Sequence, residues 1–315
     1  MGSYGFRMVE IAYIFPGQGA QFVGMGKDLY DNFPASKEIF DKANSILKID
    51  IKKLCFEGPQ EELSTTANSQ SAILTMSIAA LRAYESSPLS SQYIPKFSLG
   101  LSLGEYTALV AAGTVSFEDA LVLVKKRGEC MEEASRKNPG KMVCVLGMEL
   151  KAVEDLCRGI GCEIANLNCP GQVVVSGKTN NVELFSSLAK DKGAKRVVML
   201  NVSGPFHSSL MTSACDKLKD YIDKVQFYPP KLNFISNVDA QIQSLPEKIK
   251  DNLVKQVNSK TLWEESVKLA ALSGIKTFLE IGPGTVLKGL FKKIDPKLEV
   301  RNFGTITDLQ ATTVS

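Results

Sequence analysis

Histidine is almost missing from this chain: one imidazole, His207, stands in 315 residues. That scarcity excludes a histidine-rich metal centre. The seven cysteines, Cys55, Cys130, Cys144, Cys157, Cys162, Cys169 and Cys215, are odd in number and form no C-x-x-C pair. They read as reduced thiols in a reducing compartment, so neither a disulfide framework nor a metal site is expected. Long apolar runs are also missing. None reaches the roughly 18–20 residues of a membrane helix, and no membrane partner is expected. An excess of one charge is absent too. The net charge of +3 is too small to argue for nucleic acid, though it leaves room for a modest basic patch facing an acidic partner. There is no internal repeat and no low-complexity tract. The opening MGSYGFRMVE lacks the shape of a signal peptide and resembles an added leader ahead of a mature start, so a natural targeting segment is expected to be missing.

What is present suits a packed α/β protein. Hydrophobic residues make up 44% and charged residues 23%, enough for a core and against disorder. The length fits one large domain, or one with a smaller unit inserted. The apolar run Ile11-Ala12-Tyr13-Ile14-Phe15 reads as a buried strand, ending at the loop Pro16-Gly17-Gln18-Gly19-Ala20-Gln21. Residues 69–84 carry apolar side chains on nearly every face and predict a buried helix. The short run 96–100 leads into Gly100-Leu101-Ser102-Leu103-Gly104, followed by a helical stretch that ends at Gly113. A second helix starts at Ser116, with Asp119 placed to complete a near-capping box.

The texture then changes. Strand at 142–148, helix at 151–160, strands at 163–168 and 172–177, helix at 180–191 and strand at 195–201 give the order β-α-β-β-α-β. This is a ferredoxin-like arrangement, compact enough to be its own subdomain. The α/β texture resumes after Gly204, with strands at 232–236 and 277–282. The expected architecture is an α/β-hydrolase-like body with a parallel sheet, spanning 1–137 and 205–315, interrupted by a ferredoxin-like small subdomain at 138–204. FPGQGAQ, GLSLGEY and EIGPG each follow a strand, so all three are able to face one crevice at the carboxyl ends of the sheet.

Gly100-x-Ser102-x-Gly104 has the form of a nucleophile elbow. In such a turn the hydroxyl stands at a helix N-terminus, and the amide of the next residue, Leu103, donates to an oxyanion. The blander reading is an ordinary serine cap on a tight glycine turn. A serine nucleophile needs a base, and the only imidazole available is His207, in the shaped loop GPFHSSLM. No aspartate is evident to orient it, so a backbone carbonyl is the alternative and the pair would be a dyad. Arg127 sits in Lys125-Lys126-Arg127, which by itself suggests a solvated cationic stretch. Yet Val124, Arg127 and Met131 share one helix face, and an arginine on that apolar face would be buried and need an anion. Its guanidinium would hold a carboxylate in a fork. The glycines of FPGQGAQ fail the dinucleotide pattern because position 22 is Phe22, and no P-loop lysine follows. The Gln18 amide is a better use of that loop, as a second oxyanion donor.

Taken in order, IFPGQGAQFVGMG, GLSLGEYTALVAAG, RGECM, NLNCPGQVVVSG, GPFHSSLM, ISNVDAQ and EIGPGTVL resemble the motifs of malonyl-CoA:acyl carrier protein transacylases of type II fatty acid synthesis. The resemblance runs from about Ile11 to about Asn302. It implies Ser102 as acyl acceptor and His207 as general base. It implies Arg127 as partner of the malonyl carboxylate and the amides of Gln18 and Leu103 as oxyanion hole. Asn166 and Asn168 fall where the family lines its pocket from the small subdomain, and Met131 lies beside Arg127 in the substrate-binding set. The family commonly holds its histidine through the main-chain carbonyl of a glutamine that precedes a tryptophan. Here that position is Leu262, before Trp263. Malonyl-CoA and acyl carrier protein are the implied partners, with no cofactor, and a monomer is expected. Many bacterial members carry histidine before the elbow serine. Leu101 stands there instead, and GLSLGEYTAL and SNVDAQ resemble plastid-type members, which implies a plastid stroma, with the cytoplasm as the alternative. Because carrier proteins are acidic, Lys195, Arg196, Lys288, Lys292 and Lys293 are candidate docking cations.

Two rival readings remain from the sequence. An α/β-hydrolase shares the elbow but expects an acid between serine and histidine and a different oxyanion loop. A non-catalytic carrier-protein module would use Ser102 only as a cap.

Overall fold

The computed structural model describes residues 8–311, so the opening segment read as a leader lies almost wholly outside it. The strands are β1 (Val9–Phe15), β2 (Tyr93–Gly100), β3 (Gly140–Leu146), β4 (Glu163–Cys169), β5 (Gln172–Lys178), β6 (Arg196–Met199), β7 (Asn233–Ile235), β8 (Ile242–Gln243), β9 (Thr277–Ile281) and β10 (Glu299–Phe303). They form two sheets, of six and four strands. The larger has the order β10-β9-β1-β2-β7-β8 and is parallel except for the β7–β8 pair. The smaller is antiparallel with the order β4-β5-β3-β6. The protein is therefore an α/β body with a ferredoxin-like insert.

β1 runs apolar on both faces because helices cover both sides of a parallel sheet; Ile11, Ala12, Ile14 and Phe15 have no exposed surface. The all-round apolar helix spans Thr66–Ser86 and is buried along most of its length. The short strand β10, in the charge-rich LEVRNF, is not apparent from hydrophobic pattern; it exists because it pairs in register with β9.

The insert shows how one sheet serves two cores. Side chains alternate along a strand. In β3, Val143 and Val145 pack outward with Val153, Leu156, Val182 and Phe185 of the insert's own helices. Met142 and Cys144 point the other way and join the core of the body, as does Val174 of β5. The insert is tied to the body through β4: the amide of Leu167 donates to the Thr261 carbonyl at 2.9 Å, and the Thr261 amide donates to the Ala165 carbonyl at 2.8 Å. This docking brings the inner face of the small sheet over the carboxyl ends of β9, β1 and β2.

Candidate active site

The elbow begins where β2 ends. Its glycines are required by close approach. A Cβ on Gly100 would lie 2.0 Å from the Gly104 carbonyl carbon, and one on Gly104 would lie 2.2 Å from the Phe15 carbonyl oxygen. The strand and the helix Gly104–Ala111 therefore cross with no room for side chains, and Ser102 is forced to φ 53°. That left-handed conformation is strained for a residue with a Cβ. It is held by Asn237, whose Oδ1 accepts the Ser102 amide at 2.7 Å while its Nδ2 donates to the Gly100 carbonyl at 2.7 Å.

Strain recurs at the other end of the candidate pair: His207 has φ 57°. Its Nε2 lies 2.8 Å from Ser102 Oγ. Its Nδ1 faces two carbonyl oxygens, Gln256 at 2.8 Å and Ser259 at 3.2 Å. Carbonyls only accept, so Nδ1 carries the proton and Nε2 is left as the acceptor for the Ser102 hydroxyl. Burial, and then the nearby Arg127 cation, push the imidazole down to about 4, which keeps it neutral at physiological pH. The carbonyl tether expected at Leu262 is corrected here. Leu262 instead starts the helix Trp263–Leu272, its carbonyl accepting Ser266 Oγ at 2.8 Å and its amide donating to Asn237. The carbonyls that reach His207 Nδ1 come earlier in the chain, from Gln256 at the end of the helix Pro246–Gln256 and from Ser259 just beyond it.

Arg127 separates from its lysine neighbours as the periodicity requires. Lys125 and Lys126 are half-buried, whereas Arg127 is 1% exposed on the inward face of the helix Phe117–Lys137. Ser116 caps that helix by accepting the Asp119 amide at 3.0 Å. The guanidinium donates through Nη1 to Gln70 Oε1 at 2.8 Å. Through Nη2 it donates to Gln256 Oε1 at 2.9 Å and to Ser102 Oγ at 3.0 Å. Its Nε is buried with no acceptor. Burial draws the guanidinium pKa below its ordinary value, but an arginine remains charged. Among the described residues no carboxylate pairs with it; its hydrogen-bond partners are neutral oxygens, and the Tyr106 ring centroid lies 5.7 Å away.

Gln18, Leu101, Ser102, Arg127, Met131, Asn166, Asn168 and His207 line one cavity of about 250 Å³ between the body and the insert. A wider open groove of about 590 Å³ passes the other side of His207, but it contains neither Ser102 nor Arg127. The candidate residues therefore meet in the smaller, more enclosed space. Among the described residues, the amides of Gln18 and Leu103 have no acceptor. The Gln18 loop is pressed against the elbow, since a Cβ on Gly17 would lie 2.5 Å from the Leu101 carbonyl oxygen. Asn168 reaches in from β4 with Oδ1 buried and unpaired. Leu103, although buried at the elbow, is not itself a lining side chain; its offered group is the amide.

Sequence reasoning missed four polar residues of this site: Gln70, Glu105, Asn237 and Gln256. Gln256 meets the site at both its backbone and its side chain: its carbonyl holds His207, its Oε1 holds Arg127, and its Nε2 donates to the Ser102 carbonyl at 2.9 Å and to Glu105. Glu105 gave one signal, as the sole charged residue of a largely apolar helix, and Gln256 another, on the face of its helix shared by Ile249 and Leu253.

An elbow serine against a neutral imidazole, with unclaimed amides and a buried cation, defines a class: acyl transfer on a parallel α/β sheet. Residues 12–301 match the family model of the acyl transferase domain. The chain is 47% identical over 297 residues to the malonyl CoA-acyl carrier protein transacylase of Bacillus subtilis, covering 93% of this chain and 92% of that protein. It superposes on the structure of the malonyl CoA-acyl carrier protein transacylase of Coxiella burnetii with a TM-score of 0.93, at 36% identity and 98% coverage of each chain. A type II PKS malonyl-transacylase in complex with its acyl-carrier protein superposes with a TM-score of 0.92, at 36% identity, covering 96% of this chain and 98% of that one. The chain belongs to this family of malonyl CoA-acyl carrier protein transacylases.

Proposed function

We propose that the protein moves a malonyl group from malonyl-CoA to the phosphopantetheine thiol of acyl carrier protein through an ester on Ser102. The observation that carries this reading is the convergence on Ser102 Oγ of a neutral His207 Nε2 at 2.8 Å and the Arg127 guanidinium at 3.0 Å. Ser102 attacks the thioester carbonyl as His207 removes its proton. The oxyanion is received by the Gln18 and Leu103 amides, and His207 returns the proton to the departing CoA thiol. The carrier thiol then reverses the sequence. The unpaired Nε of Arg127 supports a missing acceptor, for which a malonyl carboxylate has the right charge and fork geometry. An acetyl group would bring no acceptor to that buried Nε, at a cost of about 1–3 kcal/mol for the unsatisfied donor.

The fixed carboxylate also orients the ester toward an incoming thiol. Asn166 and Asn168 with Met131 complete the acyl pocket, the unpaired Asn168 Oδ1 accepting an amide N–H of the pantetheine arm. Nucleophile, base and oxyanion donors all come from the chain, so the reading needs no cofactor or metal. For the carrier, the support is a basic rim. Lys195, Arg196, Lys288, Lys292 and Lys293 are exposed, and Lys293 Nζ reaches across the cleft to Gln172 Oε1 at 3.1 Å. The catalytic body is assigned to 1–137 and 205–315, the lid-like small subdomain to 138–204, and the working unit to a monomer. A plastid location rests on the likeness of GLSLGEYTAL and SNVDAQ to plastid-type members; the cytoplasm is the alternative. Among the described residues no helix is long and apolar enough to cross a membrane.

The test is acyl transfer from malonyl-, methylmalonyl- and acetyl-CoA to carrier protein. Malonyl is expected to be strongly preferred, with a malonyl adduct on Ser102 in intact-mass spectra. Equal malonyl and acetyl rates, or free malonate released as fast without carrier as with it, would overturn the reading.

A further inference from the structure

Glu105 has no exposed surface. A buried carboxylate has to be surrounded by donors, and this one is. Its Oε1 accepts the Asn237 amide at 3.3 Å, its Oε2 accepts Gln256 Nε2, and the Ser236 hydroxyl completes the set. The same Gln256 amide is held from its other end by Arg127, through Oε1 at 2.9 Å. One amide dipole therefore joins the buried carboxylate to the buried guanidinium. Arg127 is the charged group facing Glu105 from the helix Phe117–Lys137, and Tyr106 is the titratable neighbour on its own helix. Ser236, Asn237 and Gln256 face it as neutral groups, and among the described residues β1, β2 and the helix Thr66–Ser86 present no charge to it.

We propose that Glu105 is the counter-charge of Arg127: ionised in the empty site, where it balances the arginine across the Gln256 amide, and protonated when an acyl group bearing its own carboxylate occupies Arg127. The inference rests on reading Arg127 as the holder of that carboxylate. Two carboxylates sharing one buried cation cannot both remain ionised without strong mutual repulsion. Burial already raises Glu105 to about 7, so taking a proton near neutral pH is easy. The proton comes from the buffer acid and ends on the Glu105 carboxyl, where Ser236 Oγ is an acceptor. No substrate bond is made or broken in this step. Glu105 touches no reacting atom and is a positioning residue.

The experiment mixes the enzyme with malonyl-CoA, without carrier protein, in weak buffer containing a pH indicator. Acylation itself is proton-neutral, because the serine proton leaves on the CoA thiol. At pH 7.5 the wild type is expected to take up about half a proton or more per acylated site, far less at pH 5.5, and none with acetyl-CoA. Glu105→Gln is expected to form the adduct without uptake. Its KM for malonyl-CoA should also lose the rise above pH 7 that the wild type shows. Adduct formation in the wild type without proton uptake overturns the proposal. So does uptake that persists in Glu105→Gln, or that grows toward pH 5.5, either of which assigns the proton to His207. Should the variant fail to fold, the wild-type traces at the two pH values and with the two acyl groups still decide. Absence of any wild-type adduct is a separate result that removes the acylation reading itself.

Discussion

The two walls of the cleft are built on opposite plans. The wall from the body is backed by a connected polar network: beside the apolar lining residues Leu101, Met131, Phe206, Val286 and Leu290, the residues Ser102, His207, Arg127, Gln70, Gln256 and Glu105 are buried or nearly so and bonded to one another. The wall from the insert mixes Met142, Cys144, Val174, Leu200 and Val202 with three polar members, Asn166, Asn168 and Gln172, that belong to no such network. The first wall cannot lose a member without stranding a charge or a donor in low dielectric. The second is bonded mainly through its backbone, so a side chain there can change at the cost of packing or one hydrogen bond. Chemistry should therefore be concentrated on the body, and fit on the insert.

The sharpest way to break that contrast is Ser102→Ala. Transfer is expected to fall by about 10⁴-fold or more, with no adduct in intact-mass spectra; an undiminished adduct would move the nucleophile elsewhere. His207→Asn should slow acylation by about 10³-fold in stopped-flow measurements. For the wild type the acylation rate should fall as pH drops through about 4, where the imidazole gains its proton. The same shift has a stability consequence. An unfolded chain binds that proton near 6.5 and the folded chain near 4, so the unfolded state holds more protons between these values. Stability should fall as pH drops across that window, by up to about 3 kcal/mol in denaturant titrations.

Arg127→Ala tests whether the cation sets the acyl choice: the malonyl-over-acetyl ratio should drop by about 10²-fold, with residual transfer of neutral acyl groups retained. On the opposite wall, Asn168→Ala should raise the KM for malonyl-CoA by up to about tenfold and leave kcat nearly unchanged. A large kcat loss there would erase the division between the walls. The smallest effect belongs to the rim. Reversing Arg196 and Lys293 to Glu should weaken carrier-protein turnover a few-fold and flatten its salt dependence, since exposed charges are screened.

Much of this was legible before the structure. The Ser116 cap, the buried face through Val124, Arg127 and Met131, and the β-α-β-β-α-β order all follow from local pattern and appear as expected. Local pattern works where the cause is local: a 3.6-residue period, a capping side chain, a glycine where backbones cross. The family resemblance misled at Leu262, because which carbonyl reaches an imidazole depends on how far a preceding helix extends. Local pattern does not reveal the partners of Gln256, which continues the buried face of Ile249, Asn252 and Leu253, or of the loop residue Asn237; they meet Ser102 across separations of 154 and 135 residues.

The sequence by itself determined the chemical inventory: one imidazole, one elbow serine, one arginine on an apolar face, and strands short and apolar enough to end in loops on a common edge. Only the tertiary structure decided which of these meet and in what state. Burial makes the histidine neutral, two carbonyls choose its tautomer, and a glutamine from another helix joins the arginine to a buried glutamate. Protonation states and hydrogen-bond partners depend on what is excluded from water and what lies within 3 Å, and neither quantity exists until distant segments have packed.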